Sequence, residues 1–100
     1  MKEKDELEEK LQKYFDNMNS VGLGELLLFS DGIEMFIESE ARRNRLLRAV
    51  VDVCGYDTPA RMFVKMISYE EFRKKNTIGE ITALGLRLFL LYQCGVDWLK

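Results

Sequence analysis

The side chains that carry most enzyme chemistry are sparse on this chain of 100 residues. It has no histidine. That removes the commonest general base, the Ser–His and Cys–His nucleophile pairs, and most zinc sites. Its two cysteines, Cys54 and Cys94, are too few for a four-thiolate centre. A redox pair is one reading of them; small hydrophobes at helix ends is the plainer one. Neighbouring acids such as Glu8–Glu9 and Glu70–Glu71 point about 100° apart on a helix. They make solvated faces, not a catalytic dyad. No phosphate-binding glycine loop and no calcium loop occurs. The expectation is a protein that is not an enzyme, with no catalytic residues, no cofactor and no metal.

Recognition has better raw material. Arg42, Arg43, Arg45 and Arg48 lie in one predicted helix, and arginine is well suited to anchoring carboxylates or phosphates. Arg73, Lys74 and Lys75 form a second basic cluster. Together these seven are the candidate partner or nucleic-acid surface. The plainer reading is that the arginines pair with Glu38, Glu40 and Asp52. An aromatic and methionine set, Phe29, Met35, Phe36, Tyr56, Met62, Phe63, Met66, Tyr69 and Phe72, must mostly be core. Any member left outside marks a partner site.

Charge is segregated along the chain although the total is only −2. Residues 17–41 hold five acids and no base; residues 42–75 hold nine bases and four acids. The basic half suits an acidic partner or nucleic acid, while the overall acidity weighs against nucleic acid. The plain alternative is mutual neutralisation within the fold or across a dimer.

Length and composition suit one domain, residues 1–100, with a real core. The opening MKEKDELEEK is charged from the start and lacks the order of a secretory signal. With two cysteines and no disulfide framework, a cytoplasmic protein with free thiols is expected.

Apolar spacing then supplies the elements. Leu7, Leu11, Phe15 and Met18 recur every three or four residues and predict an amphipathic helix over 3–18. Its stripe is narrow and spans about two heptads, too few for an independent coiled coil. It must dock on its own domain, a partner or a sister chain, and those four residues are the candidate self-association set. Residues 23–38 read as helix, with Leu23, Leu26, Leu27, Ser30, Ile33 and Ile37 on one face. Asp31 with Glu34 offers a capping box for a break and restart at Ser30–Gly32. The alternative is a hairpin at 26–37 turning at Asp31–Gly32, which would make the fold α+β. Ser39 caps a helix over 39–54 with Ala41, Leu46, Leu47, Val50 and Val53 inward. Asp57 or Thr58 starts another, with Met62, Phe63 and Met66 inward. Ser68 with Glu71, and Thr77 with Glu80, make two further capping boxes.

An echo at an offset of 40, ending in Cys54-Gly55 and Cys94-Gly95, predicts glycine in the left-handed conformation after each helix. The last run, NTIGEITALGLRLFLLYQCGVDWLK, is broken by Glu80 and Arg87, so it is too short an apolar stretch for a membrane. A helix-turn-helix outline exists around it. A recognition helix needs polar side chains near its N-terminus, and this one is apolar nearly all round. It reads as a central helix, with Gly85 placed for a close crossing by a neighbouring helix.

The chain is therefore expected to be all-α, a compact bundle of about five helices around a central C-terminal helix. The leading functional expectation is a small protein–protein interaction module. Regulators, inhibitors (of mobile-element or anti-defence kind among them) and assembly subunits all fit, with homodimerisation through 3–18. The alternative is a nucleic-acid-binding regulator using residues 42–75.

Overall fold

The computed structural model describes residues 2–75 and 78–99. Among them lie six α-helices and no strand: α1 (Lys2–Met18), α2 (Leu23–Phe29), α3 (Glu40–Cys54), α4 (Ala60–Met66), α5 (Tyr69–Arg73) and α6 (Gly79–Cys94). One 3₁₀ turn, Ile33–Met35, joins α2 to α3. None of the helices is long and apolar enough to cross a membrane.

The 26–37 segment is not a hairpin. Leu23, Leu26, Leu27, Ile33 and Ile37 are all buried, which is the helical face, not a strand alternation. The chain breaks at Ser30–Gly32 and restarts as one 3₁₀ turn only. Gly32, at φ 90°, is the N-cap and no side-chain cap bond forms, so the Asp31–Glu34 box is not made. The N-terminus of α2 has no side-chain cap either. Its free N–H groups are met across the fold, Leu23 donating to the Thr58 carbonyl at 2.8 Å and Gly24 to the Tyr56 carbonyl at 3.1 Å.

Ser39 caps α3 as its sequence suggests, accepting from the Arg42 N–H at 3.3 Å. Leu46, Ala49 and Val50 face the core, and Ala41, in the first turn, is turned to solvent. Gly55 ends the helix at φ 84°, ψ 172°, an extended glycine conformation, so the expected left-handed cap is not formed there. In α4 the N-cap is Pro59, without a side-chain cap bond. The inward face is Ala60 and Phe63 with half-buried Ile67, which turns Met62 and Met66 outward instead of inward. Ser68 does cap α5, accepting from the Glu71 N–H at 3.1 Å and donating to its carboxylate at 3.3 Å. Thr77 of the other expected box lies outside the described residues. Glu80 instead binds Arg73 at 2.8 Å.

α6 is the central helix. Thr82, Ala83, Gly85, Leu86, Phe89, Leu90 and Cys94 are buried, against α1, α3 and α5. Gly85 does accept a close neighbour, but not a helix. A Cβ there would meet the Phe36 carbonyl oxygen at 2.5 Å and Ile37 Cγ1 at 2.8 Å, so it is the chain entering α3 that crosses. Arg43 clamps that crossing segment, donating to the Ile37 and Glu38 carbonyls at 2.7 and 2.8 Å. Gly95, at φ 65° and ψ 26°, ends α6 in the left-handed conformation, and Val96 N–H closes a bond to the Leu90 carbonyl at 2.9 Å. Beyond it Trp98 folds back among Phe63, Phe72 and Tyr69, with ring centroids 5.1–5.3 Å away. Its indole N–H is satisfied by the Ile67 carbonyl at 3.0 Å.

α1 meets the rest at its C-terminal end. Phe15 lies over Gly95, Tyr14 donates to Gln93, and Asp16 binds Arg61 at 3.1 Å. Asn19 is buried, and its amide donates to the Phe15 carbonyl at 2.9 Å and the Cys94 carbonyl at 2.8 Å. It thereby closes the last turns of both α1 and α6. From Glu3 to Tyr14 every side chain is exposed. This arm draws the molecule out to 48 × 25 × 22 Å.

Candidate interaction surfaces

Three surfaces emerge from this packing. The first is an acidic corner. The tight Ser30–Gly32 turn carries the end of α2 and the 3₁₀ turn out of the core, leaving Phe29 72 % and Met35 86 % exposed. Leu28 beside them is also exposed. Asp31, Glu34, Glu38 and Glu40 surround these side chains in sequence and are exposed. Among the described residues none of the four forms an ion pair. A cleft of about 250 Å³ runs from Glu34, Met35 and Glu38 to Arg42 and Ile81. That is below the usual size of a small-molecule pocket, roughly 300–1,000 Å³, so the corner suits a side chain of another macromolecule better than a free ligand.

The second surface is the basic one, and its members separate. Arg43 is spent on the Ile37 and Glu38 carbonyls. Arg73 binds Glu70 at 3.0 Å and Glu80 at 2.8 Å; these carboxylates, Glu70 first, raise its already high pKa. Arg42, Arg45 and Arg48 are exposed and form no ion pair among the described residues, so the expected pairing with Glu38, Glu40 and Asp52 is not made. Lys74 and Lys75 are also exposed. Arg42 adjoins the N-terminal turn of α6, and Arg73 reaches the same turn through Glu80. The two basic clusters thus flank one end of α6, with Glu80 between them.

The third surface is apolar. Ile81, Leu84 and Tyr92 on α6 are exposed, with half-buried Leu88 and Leu91 between them. The 81–84–88–91 spacing is that of a coiled-coil seam. The central helix therefore has one open face, which its all-round apolarity concealed. On α1, Leu7, Leu11 and Tyr14 are exposed. Phe15 and Met18 of the expected self-association set are half-buried, Phe15 against Gly95 and Met18 against the core. Nothing in the sequence separates the two pairs; only the docking of residues 14–19 does. The turned-out Met62 and Met66 add a smaller apolar spot on α4.

The thiols are quiet. Burial pushes Cys94 up to about 12 and Cys54 upward as well. Among the described residues no group of three His, Cys, Asp or Glu side chains could hold a metal ion. No protein-family model, no curated protein and no solved structure matches this chain.

Proposed function

We propose that this protein is a non-enzymatic helical protein-binding module whose working face is the acidic corner. One observation carries the reading: Phe29 and Met35 stand 72 and 86 % exposed, flanked in sequence by acids that form no ion pair among the described residues. Exposed large apolar side chains with a charged rim are the anatomy of a docking site. The net negative charge selects a partner segment that is basic around an apolar anchor. Such a module serves a regulator, an inhibitor or an assembly subunit equally well.

The test is a quantitative capture from lysate of the source organism with the parent and with Phe29→Asp/Met35→Asp. Both positions are exposed, so the variant should melt close to the parent. A protein held by the parent, released by salt and lost with the variant supports the reading. The same bound proteins on both baits would refute it.

The exposed row of Arg42, Arg45 and Arg48, without an ion pair among the described residues, favours a second reading, nucleic-acid binding. It predicts affinity for duplex DNA that falls steeply with salt. DNA binding that is unchanged in Arg42→Glu/Arg45→Glu removes it.

A further inference from the structure

We infer that the chain self-associates reciprocally, the α1 arm of each copy lying along the open face of α6 of the other. Two exposed apolar stripes stand on one molecule. Leu7, Leu11 and Tyr14 are spaced four and three apart, and Ile81, Leu84 and Leu88 three and four apart. Both spacings follow the 3.5-residue period of helices that pack side by side. The stripes also match in length. Residues 3–14 and 81–92 are twelve residues each, about 18 Å of helix.

Area selects the arrangement. Leu7, Leu11 and Tyr14 are 67, 50 and 43 % exposed, and Ile81, Leu84 and Tyr92 are 70, 42 and 64 % exposed. At roughly 200 Å² for an aromatic side chain, taken as an upper bound for leucine and isoleucine, each stripe presents up to about 350 Å². Arm against arm, or α6 against α6, would then bury only about 600–700 Å² in total, the range of incidental contacts. Reciprocal pairing covers both stripes on both copies, about 1,300 Å², which is the size of a specific interface. It is also isologous, so the assembly closes at two copies. Asn19, Phe15 and Tyr14 hold the base of the arm against the end of α6, so the arm is offered in a set direction and little order is lost on docking. The inference is independent of what the acidic corner binds.

The test uses the full chain and sedimentation velocity. The parent should sediment as a dimer. Leu7→Glu/Leu11→Glu and Leu84→Lys/Tyr92→Lys should each be monomeric, weakened by more than about tenfold in Kd, with helical content retained. An equimolar mixture of the two variants should recover a heterodimer. In it one arm and one open face are native, and the altered arm and face carry opposite charges. A monomeric parent, variants that remain dimeric, or a mixture that stays monomeric would each overturn reciprocal pairing. If the lysine pair unfolds the chain, Leu84→Gln/Tyr92→Gln reads the same contact.

Discussion

Gly85→Ala should destabilise the protein although alanine is the better helix former. In an open helix the change gains about 1 kcal/mol. Here the new methyl would sit 2.5 Å from the Phe36 carbonyl oxygen and 2.8 Å from Ile37 Cγ1. Restoring ordinary contact requires the crossing segment to retreat by most of an ångström. That segment has little freedom. Arg43 holds the Ile37 and Glu38 carbonyls, and the Phe36 and Ile37 N–H groups are bonded to the Ile33 carbonyl at 3.0 and 2.9 Å. Overpacking at such a site costs about 1–3 kcal/mol, and a stretched Arg43 bond adds about 1 kcal/mol more. The net loss is about 1–3 kcal/mol, read as a fall in Tm of roughly 5–25 °C for a domain of this size. Melting and urea titration followed by far-ultraviolet circular dichroism measure it. Lys65→Ala, at an exposed position of α4, is the control and should change stability by less than about 1 kcal/mol. Gly85→Leu should not fold at all. A Gly85→Ala protein as stable as the parent would show that the crossing segment yields, and the reasoning fails.

Three further outcomes follow from the packing. Gly95→Asn separates backbone from contact: asparagine tolerates the left-handed conformation, yet its Cβ would fall 2.5 Å from the Phe15 ring. It should cost about 1–2 kcal/mol and become nearly neutral in a Phe15→Ala background, as a double-mutant cycle would register. Trp98→Phe leaves the Ile67 carbonyl without its indole donor and should cost about 1–3 kcal/mol in urea titration. For Cys94, the folded thiol ionises near 12 against an ordinary 9.0, so the unfolded chain loses that proton first. The thiol's contribution is complete below pH 9 and is lost as pH rises towards 12. The stability difference between the parent and Cys94→Ala should shrink over that window, and a constant difference would refute the assignment.

Local helix signals were readable in part, since the Asp31–Glu34 box and the left-handed cap at Gly55 are not made. Ser39 and Ser68 cap as their spacing implies, and the periodic face of Leu23, Leu26, Leu27, Ile33 and Ile37 outweighed the Asp31–Gly32 hairpin signal. Roles fixed by distant contacts were not readable. Met62 and Met66 face out because Ala60 and Phe63 took the inner face of a seven-residue helix. Phe15 and Leu11 share one stripe in sequence, yet only Phe15 meets Gly95. The acidic corner was visible as charge, but Phe29 and Met35 joined it only once the Ser30–Gly32 turn carried them outward. Arg43 and Arg73, grouped by composition with a basic surface, proved to be fasteners for backbone carbonyls and carboxylates.

The joint at Asn19 also sets a schedule. Its amide bonds to the Cys94 carbonyl across 75 positions of chain, and Tyr14 meets Gln93 across 79. During synthesis α1 emerges early and cannot seat until residues 93–95 have followed it, long after α2 to α5 can begin to associate. With side chains 3–14 all exposed, little packing holds α1 beyond this joint. The N-terminal helix is therefore the last piece to be fastened and the first to be let go. In protein diluted to monomer, hydrogen exchange at its amides should report an opening of this joint well below the energy that unfolds the bundle.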